Sequence, residues 1–504
     1  MSKQHSETLP PNTPVIVGVG FQQEKIEDPL ASSEPYELMV SAVRNAAEDA
    51  GSAALLPQLE SVAVTQGMWQ YPNPGRLVAE ALGCPAAKSA LSDLGVLQLT
   101  LLSDLCRAIA AGEQSLGVVT GGEAKFRELR SQITQQPIAN TEQPEDTPPP
   151  DLHLTSSDGF CSELEAQRGL MAPIQFFSVI ESALRHHQGL GIEEHRDEVA
   201  RLYSEFSDIA ASNPHAWKRD PVSADAIRNP SAKNAMLAFP YTKRHSTQWN
   251  VNTAVAILVC SAGKARELGL KSTGWIYPLA AAESKHVVNL AQQRQLHSHP
   301  GTILSGERAL ALAGASVSDV TAANLYSCFP AAVRSFAGDL KLEEGCPLSV
   351  TGSMAFSGGP FNHASLDGVA RMVEVLRADE AAGDAERRIG LVSNLSGIFG
   401  KQGCTVFSNL PSDEGYRYED ITQIVAEKDL PIPLNGEYSG PARVVGYTVV
   451  FTGEDPAHAI AICDTPDGER TVVRSEDPAL LEQMTREEYC GREIEVQRDG
   501  TIAP

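Results

Sequence analysis

The sequence predicts an α/β protein built on a duplicated unit, with a helical insertion between the two copies and a small strand-rich tail. Three observations predict it. A glycine-rich turn, an amphipathic helix and a buried strand follow one another early in the chain, and the same order returns late in it. A Pro-rich, acidic stretch, Gln143 to Pro150, interrupts the first copy's continuation and cannot be regular structure. From about Ser412 the texture changes to short strands divided by turn residues.

Taken in order, Thr13 to Gly20 is a β-rich apolar run closed by glycines, the pattern of a buried strand. Helical periodicity from Tyr36 to Ala50 stops at Gly51, and Leu59 to Thr65 is a second strand. Gly18 and Gly20 begin a dinucleotide-loop pattern, but its third glycine would fall on Gln23, so that loop is not expected. Leu97, Leu101, Leu105 and Ile109 lie on one helical face, Gly112 ends the helix, and Leu116 to Thr120 is again a strand. In the second copy, Ala364 to Leu376 reads as the helix and Ile389 to Ser393 as the strand. Within the insertion, Pro173 to His187 and His195 to Ser207 read as helices that fold over the duplicated core. Ala442 to Phe451, Ala457 to Cys463, Thr471 to Arg474 and Glu493 to Val496 are the tail's strands, with a helix from Pro478 to Met484, a pattern that fits a small OB-like barrel. The resulting division is 13–124 and 246–410 for the two halves, 125–245 for the insertion and 411–504 for the additional domain.

Composition narrows the function. At 504 residues, 42% apolar and 21% charged, the chain has the make-up of a multidomain globular protein. A net charge of −24 with no stripe of Lys and Arg excludes nucleic acid and an anionic membrane surface as partners. No apolar window reaches the ~20 residues of a membrane span, and the first residues hold no signal-peptide core, so a cytoplasmic protein is expected. Nine cysteines are dispersed without a CxxC pair, which fits reduced thiols and gives no metal site.

In duplicated α/β folds, ligands sit beyond the strand ends, near helix N-termini. Four stretches fit that description: Ser92 to Gly95, Asn324 to Pro330, Gly358 to His363 and Asn394 to Gly400. Together with Pro14-Val-Ile-Val-Gly-Val-Gly20, Ile109-Ala-Ala-Gly112 and Trp249-Asn-Val-Asn-Thr-Ala-Val-Ala256, they resemble the thiolase superfamily over residues 13–410, and in particular its sterol-carrier-type and thiolase-like type 1 branch. The resemblance implies the five-layer αβαβα thiolase fold, with a loop-domain insertion and an additional C-terminal domain. It also implies a CoA thioester as substrate or ligand, with no covalently bound cofactor.

Thiolases use a nucleophilic cysteine, an activating histidine and a second, proton-moving cysteine. Aligned with that pattern, the nucleophile falls on Gly95, the histidine on Gly359 and the second cysteine on Asn394. Cys106 lies too far into its helix to substitute. His363, four residues after Gly359, and Tyr326, where the sterol-carrier branch has an oxyanion-binding histidine, are the remaining catalytic candidates. Trp249, Asn250, Gly358 and Gly359 are the expected CoA-side contacts, and Lys243-Arg244 is the best short basic pair.

Three functions follow from the resemblance. The first is an acyl-CoA-handling protein of the acetyl-CoA acetyltransferase class that lacks the nucleophile. The second is a retro-aldolase acting on β-hydroxyacyl-CoA thioesters through Tyr326, since some sterol-carrier-type relatives perform that cleavage together with an OB-domain partner. The third is a non-catalytic CoA-ester or lipid-binding module. The resemblance further implies a homodimer, or a partner protein docked through the C-terminal domain.

Overall fold

A computed structural model describes residues 9–156, 159, 161–381 and 386–502. The residues before Leu9, on which the expected lack of a leader rests in part, lie outside them.

The duplication is legible in the pairing of the strands. In the first sheet the order is Pro14–Gln23, Asn252–Ser261, Leu116–Ala124, Ser61–Thr65, Lys88–Ser92 and Leu152–Leu154. The second sheet runs Val320–Asn324, Ile389–Ser396, Lys401–Ser408, Tyr277–Ser284 and Arg417–Asp420. Each contains the same four-strand path. A first strand pairs antiparallel with the last, the last pairs antiparallel with the next-to-last, and that one pairs parallel with the second. Sheet membership therefore divides the chain after Ser261, because Asn252–Ser261 is central to the first sheet. Its ten residues are all buried, which explains its continuous apolar run.

Helices Thr100–Ala110 and Ala364–Ala381 form the layer between the sheets. Leu101, Leu105 and Ile109 of one and Leu366, Val369 and Val373 of the other share a core with Val255, Ile257, Val392 and Phe407 of the two sheets. Pro35–Asp49 covers the outer face of the first sheet, and Pro300–Leu312 packs on the second. The result is the expected layered α/β fold.

The first central helix starts later than its periodicity suggests. Leu97 and Leu99 are buried, but the helix begins at Thr100, and a turn built around Gly95 precedes it. Positive φ at Gly95 (99°) turns the chain before the helix can start.

The insertion and tail are one packing unit. Insertion helices span Pro173–Gln188 and Ile192–Ser212, the second longer than its apolar pattern implied. The tail's strands Gly440–Thr452, Asp455–Asp464 and Arg470–Ser475 form an antiparallel sheet, and Glu493–Val496 returns to pair with the first of them. That sheet continues into the insertion through Met236–Ala238 and Tyr241–Thr242. Buried Arg185 of the insertion grips Glu488 of the tail with two hydrogen bonds of 2.7 and 3.0 Å.

Beneath the tail lies a buried charge cluster. Glu181 accepts from His195 at 2.8 Å, from Arg334 at 2.5 Å and from the Tyr241 hydroxyl. Burial alone would raise the Glu181 pKa, but Arg334 and then His195 hold it at about 2, so it stays ionised.

Candidate active site

The loop Leu325–Phe329, between a strand and the helix Pro330–Leu340, brings Tyr326 to the end of the second sheet. The Tyr326 backbone N–H donates to Ser393 Oγ at 2.9 Å, and the Met354 N–H donates to Ser327 Oγ at 3.1 Å. Asn324 Oδ1 accepts from the backbone of Val350 and Thr351, which ties the two loops together.

Gln98 is the residue that holds the phenol, and no sequence motif marked it. Its Oε1 accepts from the Ser365 N–H at 2.7 Å, and its Nε2 donates to the Phe361 carbonyl at 3.0 Å and to the Tyr326 hydroxyl at 3.3 Å. Because the Ser365 amide can only donate and the Phe361 carbonyl can only accept, the orientation of the Gln98 amide is fixed. The Tyr326 oxygen therefore receives a hydrogen bond, and its own hydrogen has no acceptor among the described residues. Burial, then nearby Cys328, pushes the Tyr326 pKa above the ordinary phenol value, so the hydroxyl stays protonated.

The three positions at which the thiolase resemblance expects cysteine or histidine, Gly95, Gly359 and Asn394, differ in their surroundings. Gly95 has φ 99°, and a Cβ there would lie 3.0 Å from the Ser156 side chain. Lys401 Nζ closes the same turn, donating to Gly95 O and Ser156 Oγ at 2.8 Å each. At Gly359 a Cβ would come within 1.9 Å of Thr247 Cγ2. The segment Ser246–Val251 lies across this loop: Gln248 N–H donates to Met354 O, Gly359 N–H donates to Gln248 O, and Thr247 Oγ1 donates to Cys328 O. Asn394 is fully buried in its strand, with neither side-chain atom hydrogen-bonded among the described residues. Cys106 and Cys404 are buried, and burial raises both thiols, so neither supplies a thiolate.

Restoring the thiolase residues is therefore expected to cost stability without creating thiolysis. Gly95→Cys forces an L-residue into positive φ, a strain of about 1–3 kcal/mol, and Gly359→His overpacks the Thr247 contact by a similar ~1–3 kcal/mol. Denaturant unfolding measures each cost, and adding Thr247→Gly should recover most of the second. An acyl-cysteine adduct on the Gly95→Cys, Gly359→His double variant, seen by mass spectrometry, would contradict this account.

Among the described residues no hydrogen bond joins His363 to the Tyr326 phenol. His363 is 1% exposed, packs on Gly121, and its Nε2 is 3.5 Å from Thr253 Oγ1. Burial lowers its pKa to about 3, so it is a neutral imidazole. Trp249 is half exposed and sits edge-on to Phe361, while Asn250 contributes its carbonyl to Gln248.

A cavity of about 10 Å³, room for one water, is lined by Tyr326, Ser327, Thr351, Met354, Ser357 and Asp367 among others. Asp367 also lines a second cavity of about 20 Å³, with Thr253 and His215. Beside Gly358, the fold gathers cations that are scattered in sequence. Trp217 packs 3.6 Å from where a Gly358 Cβ would stand, and Lys25 lies over its ring at 4.9 Å. Burial and the charges of Lys243, Arg244 and Lys25 lower the Lys218 pKa. Among the described residues no group of His, Cys, Asp and Glu could hold a metal ion, and no helix is long and apolar enough to cross a membrane.

Comparison with known proteins agrees with this architecture. Residues 421–501 match the family model of the thiolase-like protein type 1 additional C-terminal domain. No curated protein sequence matches the chain. Among solved structures, a monomeric SCP2-thiolase-like protein type 1 from Mycobacterium smegmatis superposes with a TM-score of 0.79 at 25% identity, covering 97% of this chain and 98% of that one. An Ltp2-ChsH2(DUF35) aldolase gives 0.58 at 19% identity, covering 80% of this chain and 99% of that one. An acetyl-CoA acetyltransferase from Syntrophomonas wolfei gives 0.54 at 20% identity, covering 79% and 100%. The doubled strand path and the central helices are those of a thiolase-like fold, and residues 421–501 carry the additional C-terminal domain of thiolase-like proteins of type 1.

Proposed function

We propose that this protein binds a CoA thioester and acts on it without a covalent acyl-enzyme, by retro-aldol cleavage of a β-hydroxyacyl-CoA. The observation that carries this reading is the Tyr326 hydroxyl. It is protonated, is held by Gln98, and keeps its hydrogen for a ligand, while positive φ at Gly95 and the Thr247 contact at Gly359 disfavour the residues of ordinary thiolysis. Retro-aldol chemistry needs a donor for the thioester enolate oxygen and a base for the β-hydroxyl, and no nucleophile. An aldolase among the structures of like fold is consistent with it.

The cations beside Gly358 supply the CoA side. In a chain of net charge −24, Lys25, Lys218, Lys243 and Arg244 form a positive rim suited to the 3′-phosphate of CoA. A thioester is far larger than the present cavity, so its binding requires the loops that line it to open.

The test is a panel of acyl-CoA and β-hydroxyacyl-CoA thioesters, with mass-spectrometric detection of free products and of adducts. Cleavage of a β-hydroxyacyl-CoA to a carbonyl compound and a shorter acyl-CoA, with no adduct, is expected; turnover through an acyl-cysteine would refute the reading. Calorimetry checks the rim separately. CoA should bind about tenfold more tightly than its analogue lacking the 3′-phosphate, and Lys218→Ala with Lys243→Ala should erase that difference.

A further inference from the structure

We infer that Asp367 is the catalytic base of the Tyr326 cavity, placed to take the hydroxyl proton of a β-hydroxyacyl thioester. This role rests on the retro-aldol reading and names the group that reading requires.

Asp367 stands in the first turn of the helix Ala364–Ala381, on the wall of the cavity that Tyr326 also lines. Gly368 beside it lets the helix approach the Asn324 loop, since a Cβ there would lie 2.3 Å from Asn324 Nδ2. Asp367 is thereby held against the loop that carries the phenol. It has no hydrogen-bond partner and no counter-charge among the described residues. The titratable groups on the walls of its two cavities are Tyr326 and His215, and His363 precedes it by one turn. His215 pairs with Glu374 at 2.9 Å and leaves Asp367 unpaired. By area Asp367 is only half-buried, as suits a carboxyl that opens onto small cavities.

An unpaired carboxylate so enclosed costs stability, and a group kept at such a cost in a cleft beside a proton donor marks a functional site. Other candidates are committed elsewhere: His363 faces Gly121, and Lys401 holds the Gly95 turn. Burial raises the Asp367 pKa well above the ordinary carboxylate range, toward the working pH of a general base.

The step balances without a co-reactant. Asp367 accepts the β-hydroxyl proton, the O–H electron pair becomes the new C=O bond, and the Cα–Cβ bond breaks. Its electrons pass into the thioester enolate, whose oxygen is held by the Tyr326 hydroxyl. The proton on Asp367 then returns to Cα, leaving an aldehyde or ketone and the shortened acyl-CoA.

The experiment compares the full-length protein with Asp367→Asn, Asp367→Glu and Asp367→Ala on a cleaved β-hydroxyacyl-CoA. Asp367→Asn should lower kcat by about 10²- to 10⁴-fold, leave CoA-ester affinity within about threefold, and not lower the Tm, since it replaces an unpaired carboxyl with a neutral group of the same size. Wild-type kcat should fall with decreasing pH along a limb above the ordinary carboxylate range, a limb absent from the Asp367→Asn residual rate. Asp367→Glu should retain part of the rate, and formate should partly rescue Asp367→Ala. If the wild type cleaves but Asp367→Asn keeps its rate and its acid limb, Asp367 is not the base and the retro-aldol reading stands. If the wild type cleaves no β-hydroxyacyl thioester, that reading fails and this role with it.

Discussion

Replacing Glu181 by alanine is expected to destabilise the fold by about 3–5 kcal/mol, the cost of breaking a buried ion pair from one side. Glu181 is fully buried, and its two oxygens receive Arg334, His195 and the Tyr241 hydroxyl. The Tyr241 oxygen in turn accepts from the Ala331 N–H at 3.0 Å, in the first turn of the Pro330–Leu340 helix. Arg334 belongs to the same helix, which follows directly on the loop of Tyr326. Losing the carboxylate strands a cation that is only 11% exposed and loosens the start of that helix. Glu198 at 3.3 Å and Gln188 at 2.9 Å compensate in part, which favours the lower end of the range. Glu181→Gln keeps an acceptor for Tyr241 and should fall between the two.

The pH dependence gives an independent check. The folded-state pKa of Glu181, about 2, lies below its ordinary value of 4.5. Its contribution is therefore complete above that value and is lost as pH falls from there through about 2. Denaturant midpoints of wild type and Glu181→Ala should differ most near neutral pH and converge in acid. A constant difference across that window would mean that packing, and not charge, accounts for the loss.

Strands and helices with strong periodicity were legible from the residues alone, because burial on both faces leaves unbroken apolar runs such as Thr253 to Cys260. The doubled strand path was legible only as a repeated order of elements. Which sheet claims Asn252–Ser261 depends on contacts with Pro14–Gln23 and Leu116–Ala124, both distant in sequence. Residues that meet only through the fold left no local pattern. Gln98 looks like one more polar residue in an apolar helix start, and Asp367 like a helix N-terminal acid. Lys25, Lys218 and Lys243 come from three separate stretches, so only the pair Lys243-Arg244 could be seen in sequence. Glycine positions carried the opposite kind of information. Gly95 and Gly359 read as lost side chains, yet one is fixed by its backbone conformation and the other by Thr247.

Tyr326→Phe should lower kcat for β-hydroxyacyl-CoA cleavage by about 10²- to 10³-fold, the usual effect of removing one oxyanion donor. The substitution removes a single oxygen from a ring packed against the core that includes Phe329 and Leu395, so the fold and the affinity for CoA should change little. Among the described residues the hydroxyl's only hydrogen bond is the one it accepts from Gln98, and that amide keeps its bonds to Phe361 and Ser365 in the variant. A loss confined to kcat is thus the signature of a donor used in the transition state. Since burial raises the Tyr326 pKa, the phenol remains protonated through neutral and mildly alkaline pH, and no alkaline limb from it should appear below its ordinary value of 10. Gln98→Leu should cost less than Tyr326→Phe, because it misplaces the donor without deleting it. Full activity in Tyr326→Phe would remove the phenol from the mechanism and leave the thioester oxygen to the backbone N–H groups of the surrounding loops.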